Sequence, residues 1–378
     1  MRPLDGVKVI EMAGLAPVPY AGMILADFGA DVIRVDRSPA AGAKPDPTRD
    51  CLARGKRSIG VNLKDPRGVE LLLKLMASAD VLVEPFRPGV MEKLGVGPDV
   101  ALARNPRLVY ARLTGWGQGG PYGPMAGHDI NYIALSGTLS CFGRKGERPL
   151  PPVNLLGDFA GGGMLCALGI ALALFERERS GKGQVIDAAM VDGAANLATF
   201  LFGFRAAGLW SDEHGTNLLD TGAPFYDTYE TADGKYVAVG AIEPQFYAQL
   251  LEGLDIDAAT LSHQFDRDAW PATAARFAEV FKRRSRDKWA KVFDGTDACV
   301  APILTLGEAP EHPHNVTRRA FVESDGAPTP QPAPRLSRTP GTVGGAAPLP
   351  GQHTDEVLRV AGITADEIAA LRRDGIAG

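Results

Sequence analysis

The sequence predicts an α/β fold in which a large lobe with a parallel sheet is joined to a smaller α+β lobe. Its 378 residues exceed the size of one typical hydrophobic core. Up to residue 189, short apolar runs of strand character alternate with helical periods, which is typical of βαβ units. From Phe225 the pattern changes to a hairpin followed by helices. We therefore expect a large domain over residues 1–220, a small domain over 221–320, and a Pro-rich return segment with a C-terminal helix, rejoining the large domain, over 321–378.

The first βαβ unit comprises a strand at residues 7–12, a helix at 20–28 and a strand at 31–36. Asp36 stands where a dinucleotide fold carries its ribose-binding acid, but the turn at residues 13–19 lacks GxGxxG, which argues against a nicotinamide site. A second unit has a helix at 66–79 and a strand at 80–84. Arg87 follows that strand directly, at the edge of a parallel sheet where ligands bind.

Two polar residues stand at the heads of apolar segments between residues 127 and 175. His128 precedes one segment, and Asp158 precedes a run of 17 uncharged residues that predicts one buried helix. An acid and a histidine at helix starts suit proton transfer around a developing oxyanion, because free N–H groups there favour negative charge. The alternative is a capping aspartate and a core histidine. The run is shorter than the ~20 residues of a membrane span, so we assign it to a core.

Composition narrows the class of protein. Hydrophobic residues at 45% and charged residues at 22% are ordinary for a globular enzyme, and a net charge of −5 argues against general nucleic-acid binding. The four cysteines form no CxxC or Cys/His pattern, so neither a zinc site nor a disulfide framework is expected. The termini carry no signal peptide or peroxisomal tripeptide, and we expect a cytoplasmic protein without membrane or nucleic-acid partners.

Basic residues are concentrated between residues 37 and 64, beside the first βαβ unit. A phosphate-bearing ligand and a merely solvated face are both compatible with this charge. The cations are Arg37, Lys44, Arg49, Arg54, Lys56, Arg57 and Lys64. Further along, the glycines at 115–120 satisfy GxGxxG formally, but Pro121 and Pro124 prevent the helix that this signature requires, which leaves a ligand-binding loop or a simple turn.

Eight motifs occur in an order that resembles the family III CoA-transferase superfamily, and within it the α-methylacyl-CoA racemases. They are residues 5–11 (DGVKVIE), 30–36 (ADVIRVD), 86–89 (FRPG), 115–118 (GWGQ), 127–132 (GHDINY), 157–159 (GDF), 180–185 (SGKGQV) and 240–245 (GAIEPQ). The resemblance implies a Rossmann-like large domain, a small domain and two subunits interlocked as rings. It also implies an acyl-CoA substrate and no metal or organic cofactor beyond the CoA of that substrate.

Carried over by position, the resemblance implies His128 and Asp158 as the catalytic pair, with Glu243 nearby through the neighbouring subunit. Lys93 stands where the racemases carry arginine, which keeps the charge but loses bidentate geometry. The implied CoA contacts are Arg37, Val61, Asn62, Leu63, Lys64, Pro85, Phe86, Arg87, Lys93, Gly127, Asp129, Ile130, Asn131 and Tyr132.

The implied reaction is the interconversion of (R)- and (S)-2-methylacyl-CoA thioesters through an enolate. One member of the pair removes the α-proton and the other returns a proton on the opposite face. We expect the unpaired N–H of Asp158 at a helix start to stabilise the enolate oxygen, and Glu243 to orient His128. Leu15, Met190 and Leu197 could line an acyl track or simply belong to the core.

Two other functions compete with racemisation. In a CoA-transferase of this family Asp158 would attack the thioester as a nucleophile. Residues 240–244 contain one glycine and Glu243 in place of the glycine-rich loop of those transferases, which favours the racemase. A noncatalytic CoA-binding protein is the second alternative.

Overall fold

The computed structural model describes residues 1–38, 50–324 and 326–378. Within it the chain forms two compact units. The larger unit comprises residues 1–136, 153–197 and 317–378, and the smaller unit comprises residues 137–152 and 198–316. Each unit is thus built from separate stretches of chain, and the C-terminal residues belong to the larger one.

The larger unit is organised around a six-stranded parallel sheet. Its strands are β1 (Lys8–Met12), β2 (Asp31–Arg37), β3 (Arg57–Val61), β4 (Val81–Glu84), β5 (Val109–Thr114) and β6 (Val185–Ala189). Their order is β3-β2-β1-β4-β5-β6, so the direction of winding reverses between β1 and β4. Every residue of β4 and β5 is buried, as expected for a sheet covered on both faces. The predicted α/β fold with a parallel sheet is therefore confirmed.

Helices cover the sheet, and apolar clusters fill both of its faces. The predicted C-terminal helix begins with a capping box, in which Thr364 and Glu367 exchange hydrogen bonds. The helices of this unit are α1 (Pro17–Asp27), α2 (Pro66–Met76), α3 (Val90–Lys93), α4 (Pro98–Arg104), α5 (Asp129–Leu135), α6 (Leu165–Ser180), α7 (Met190–Leu197), α13 (Thr354–Val360) and α14 (Ala365–Arg373). A small hairpin of β10 (Phe321–Ser324) and β11 (Ala327–Pro330) completes the unit.

The prediction that the long apolar run forms one buried α-helix is wrong. The helical structure begins earlier, as a π-helical segment over Leu155–Met164, and continues without a break into α6. Glycines on both elements let α7 approach the π-helical segment closely: a Cβ on Gly161 would lie 2.8 Å from the nitrogen of Ala194, and a Cβ on Gly193 would lie 1.9 Å from the carbonyl oxygen of Gly161. Together the two segments form a helical stretch of 26 residues, long and apolar enough to cross a membrane by length and composition alone.

The smaller unit contains an antiparallel sheet of β7 (Tyr226–Glu230), β8 (Tyr236–Gly240) and β9 (Val300–Pro302). The hairpin of β7 and β8 is the one that Asp233-Gly234 predicts. Aromatic residues dominate its core, including Phe225, Trp270 and Trp289. Its helices are α8 (Thr199–Ala206), α9 (Pro244–Leu254), α10 (Trp270–Phe281) and α11 (Arg286–Phe293); α12 (Pro313–Arg318) spans the passage back to the larger unit.

Candidate active site

Three groups of the residues predicted to contact CoA lie at the carboxyl ends of neighbouring parallel strands. Arg37 ends β2, residues 61–64 follow from β3, and residues 85–87 follow β4. Because β3, β2, β1 and β4 are adjacent and parallel, these three positions share one edge of the sheet. That edge, near the reversal of strand order, is where open α/β sheets bind ligands.

Three cations of the basic stretch form ion pairs within the larger unit, which neither of its two predicted interpretations, a phosphate site or a solvated face, included. Lys56 is fully buried with its Nζ 2.6 Å from Glu11 Oε2. Arg54 is paired with Asp27, and Arg57 is paired with Asp31 across β2 and β3. Lys44 and Arg49 lie outside the described residues. Arg37 and Lys64 are exposed at the edge of the sheet where the parallel strands have their carboxyl ends.

The turn after β3 is anchored by the C-terminus of the chain. Val61 is buried, and the N–H of Asn62 donates to the carbonyl oxygen of Ile376 at 2.8 Å. The side-chain oxygen of Asn62 accepts the N–H of Lys64 at 3.1 Å, while Leu63 packs on the core. This turn therefore has a fixed backbone from which the Lys64 side chain projects into solvent.

Arg87 and Lys93 are exposed on the segment that follows β4. Pro85 and Phe86 precede Arg87 and are half-buried, and Lys93 ends the short helix α3. The charge of Arg87 reaches Tyr132, where it opposes the rise in the pKa of the phenol that burial causes. The structure thus brings the segment after β4 into electrostatic contact with residues 127–132.

His128 directly precedes α5 and exposes its side chain. Its backbone N–H donates to the Asn131 side-chain oxygen at 3.1 Å, which fixes the start of the helix. Ile130 is exposed, whereas the Tyr132 ring is buried in space that glycines leave open: a Cβ on Gly115 or Gly127 would lie 2.0 or 2.7 Å from it. The GWGQ loop therefore helps to place the helix that carries His128.

Asp158 is half-buried at the fourth position of the π-helical segment. The sequence predicts an unpaired backbone N–H for Asp158, but this N–H donates to Asp129 Oδ2 at 2.7 Å. The prediction was wrong because the helix begins three residues before Asp158 and because buried Asp129 takes the N–H. No local sequence pattern indicates this bond, which joins two different helical segments.

The pKa of Asp158 is raised, and the largest cause is burial. A hydrogen bond from Asn154 Nδ2 to Asp158 Oδ2 at 3.0 Å works against the rise. The Asp129 charge adds to the rise, and His128 lowers it. His128 and Asp158 therefore interact electrostatically, and burial makes Asp158 a weaker acid than an exposed aspartate. Sequence reasoning missed Asn154, although its spacing of four residues from Asp158 is typical of side chains that meet on a helix.

Glu243 lies in the smaller unit, where it is the exposed residue that precedes α9. Its proximity to His128 in a neighbouring subunit stays a prediction. Of the residues considered for an acyl track, Met190 belongs to the core, whereas Leu15 and Leu197 are exposed. Among residues 1–38, 50–324 and 326–378, no group of three or more His, Cys, Asp or Glu could hold a metal ion.

Comparison with known proteins identifies the family. Residues 4–354 match the family model of CoA-transferase family III. The chain belongs to CoA-transferase family III. It is 54% identical over 375 residues to the α-methylacyl-CoA racemase of Mus musculus and 52% identical to that of Homo sapiens, in each case over 99% of this chain and 97% of the relative. Among solved structures, a CAIB/BAIF family protein from Brucella suis superposes with a TM-score of 0.82 at 26% identity, over 95% of this chain and 99% of that one.

Proposed function

We propose that this member of CoA-transferase family III is an α-methylacyl-CoA racemase that interconverts (R)- and (S)-2-methylacyl-CoA thioesters. The observation that carries the proposal is the half-buried carboxyl of Asp158, whose pKa burial raises and on which the charge of His128 acts in the opposite direction. Racemisation requires one group that accepts a proton and another that donates one near neutral pH. The full-length similarity to two racemases supports the same reaction.

In the proposed mechanism, neutral His128 and protonated Asp158 stand on opposite faces of the α-carbon. His128 removes the α-proton and becomes imidazolium, the thioester becomes an enolate, and Asp158 gives its proton to the other face. The roles are exchanged for the opposite isomer, with Asp158 as carboxylate and His128 as imidazolium. Burial raises the pKa of Asp158 and so brings it closer to the pKa of an imidazole. Reversible proton exchange between a carboxyl group and an imidazole requires that the two values be close.

The enolate oxygen needs a hydrogen-bond donor, and the N–H of Asp158 is the donor we propose. In the structure that N–H is held by Asp129. The thioester oxygen can use it only when it replaces Asp129 Oδ2 as the acceptor, so we propose that substrate binding displaces the Asp129 carboxylate. One such donor accounts for about 10²–10³ in rate in other enzymes.

The CoA moiety would lie along the carboxyl edge of β2, β3 and β4. Arg37, Lys64, Arg87 and Lys93 supply exposed positive charge for its phosphates. Binding energy at this distant end of the substrate would hold the acyl end in register with His128 and Asp158. We propose no cofactor other than this CoA, and the cytoplasm as the compartment.

We also propose an interlocked homodimer. The exposed face of the long helical stretch carries Met164, Leu168, Leu172 and Phe175, the last two 60% and 68% exposed. An apolar stripe of this kind marks a surface that another protein or a membrane covers. In the proposed dimer a second copy covers it, and the partner subunit's Glu243 accepts a hydrogen bond from His128.

The test of the reaction is incubation of a single stereoisomer of a 2-methylacyl-CoA in deuterated water without an acceptor acid. A racemase loses the configuration and places deuterium at the α-carbon. A CoA-transferase needs an acceptor and leaves the α-carbon untouched. Unchanged configuration together with no α-deuterium would refute the proposal. A substrate that binds but stays unaltered even after an acceptor acid is added would favour a noncatalytic protein.

A further inference from the structure

Two buried charged residues lie directly beneath the segment that carries Arg87 and Lys93. Glu84 is the last residue of β4 and is fully buried. Arg112 stands opposite it on β5 and is 7% exposed. Arg112 Nε donates to Glu84 Oε1 at 3.1 Å. The same guanidinium reaches Glu92 on α3, with Nη1 2.9 Å from Glu92 Oε1.

Each carboxylate of this group is joined to a cation-bearing segment. Glu84 Oε2 accepts the backbone N–H of Phe86 at 2.6 Å, and Phe86 immediately precedes Arg87. Glu92 immediately precedes Lys93 in α3. One guanidinium therefore connects the backbone next to Arg87 with the helix turn that carries Lys93.

Stability alone is a weak reason for such an arrangement. Removing a carboxylate and a guanidinium from water costs free energy, and well-packed apolar residues usually stabilise a fold equally well. What the charged pair adds is direction, because each bond fixes a particular N–H or carboxylate in space. The bonds end on the two stretches of chain that display the exposed cations.

We propose that Glu84 and Arg112 are positioning residues, which hold Arg87 and Lys93 at the separation and orientation that the phosphates of CoA require. This inference rests on the proposed CoA site at the carboxyl edge of the sheet. Neither residue touches the substrate in this account, because both act through the Phe86 backbone and through Glu92.

The arrangement also gives CoA binding a pH dependence. Burial raises the pKa of Glu84 to about 7. The charged groups that act on it are Arg112 on β5 and Glu92 on α3, and its own charge acts on the phenol of Tyr110 on β5. Ionised Glu84 accepts from both Phe86 and Arg112, whereas protonated Glu84 uses one oxygen as a donor and loses one of these bonds. The segment is therefore held more firmly above pH 7 than below it.

The experiment measures the affinity for free CoA by isothermal titration calorimetry at pH 6 and pH 8 with Glu84→Gln and the matched control Glu70→Gln. Glu70 also pairs with an arginine, Arg104, but on the exposed surface of the same unit. We expect Glu84→Gln to weaken CoA binding about tenfold at pH 8, the effect of one hydrogen bond to a charged group. Glu70→Gln should bind like the unaltered protein.

The pH profile separates positioning from a merely structural role. Phosphate groups of CoA titrate equally in both proteins, so the ratio of their affinities isolates Glu84. The dissociation constant for CoA of Glu84→Gln, divided by that of the unaltered protein, should approach one at pH 6 and be larger at pH 8. Equal affinities at both pH values, or a ratio that does not change with pH, would overturn the inference.

Two further outcomes are distinguishable. An unaltered protein that does not bind CoA would refute the proposed function itself, whereas CoA binding that is unaffected by Glu84→Gln would refute only the positioning role. Should Glu84→Gln unfold in a thermal melt, Glu92→Ala replaces it, because this change leaves the Glu84 bonds in place and removes both acceptors that join Arg112 to the turn of Lys93. It too should weaken CoA binding, and unchanged affinity would contradict the inference.

Discussion

Replacing Lys56 with methionine tests whether the basic stretch is structural. The Lys56 ammonium lies 2.6 Å from Glu11 Oε2 and 2.8 Å from the carbonyl oxygen of Pro19. Both side chains of the ion pair are 0% exposed. The second oxygen of Glu11 has no hydrogen-bond partner in the described part of the chain, so Lys56 is the main compensation for the buried carboxylate.

Removing one partner of a buried ion pair leaves an uncompensated charge, which typically costs about 3–5 kcal/mol. Burial already raises the pKa of Glu11, and the Lys56 ammonium opposes that rise. Without the ammonium, the pKa of Glu11 in the folded protein rises further, and Glu11 can be accommodated as the neutral acid. The variant should therefore be least impaired at low pH, and should lose stability as the pH rises above the pKa of Glu11 in the unfolded chain.

The assay is urea denaturation followed by tryptophan fluorescence at pH 5 and pH 8, compared with Arg104→Met as the control. Arg104 forms an exposed pair with Glu70, and such pairs contribute about 0–1 kcal/mol. CoA affinity per folded molecule should be unchanged in Lys56→Met. A variant with normal stability but weakened CoA binding would refute this reasoning and restore Lys56 as a phosphate ligand.

Two further predictions concern the acid and the dimer. In Asp129→Asn the amide oxygen can still accept the N–H of Asp158, but the negative charge that raises the pKa of Asp158 is lost. In the direction of racemisation that uses protonated Asp158, the high-pH limb of the pH–rate profile should therefore move to lower pH. A limb that does not move would contradict the assignment of Asp158 as the acid. Leu172→Glu should convert the proposed dimer to monomers, measured by light scattering after gel filtration, whereas Glu178→Gln, exposed on the same helix, should not. A dimeric Leu172→Glu variant would contradict this interface.

Most strands of the sheet were predictable because each contains a short apolar run, such as Val81-Leu82-Val83 in β4, of the kind that a buried parallel sheet requires. The exception is β3, Arg57–Val61, which sequence reasoning left inside the basic stretch. Its first residue is a cation that the fold neutralises with Asp31 on the neighbouring strand. That pairing depends on the register of β2 and β3, which no local pattern reveals.

The role of His128 and Asp158 as a catalytic pair could be proposed from the order of the motifs, but the contacts that surround them could not. The bond between Asp129 and the N–H of Asp158 joins residues 29 positions apart, and the Glu84–Arg112 pair joins residues 28 apart. Both depend on which strands and helices become neighbours. The π-helical geometry around Asp158 also depends on close packing of α7 against a glycine run, rather than on helical periodicity.

The most direct test of the central claim compares α-deuterium incorporation from each pure stereoisomer in His128→Ala and Asp158→Asn. If two groups on opposite faces share the reaction, each variant should lose racemisation but retain exchange of the one isomer whose proton the surviving group removes. The two variants should therefore favour opposite isomers, with CoA affinity little changed. Loss or retention of exchange with both isomers in both variants would contradict a two-base mechanism.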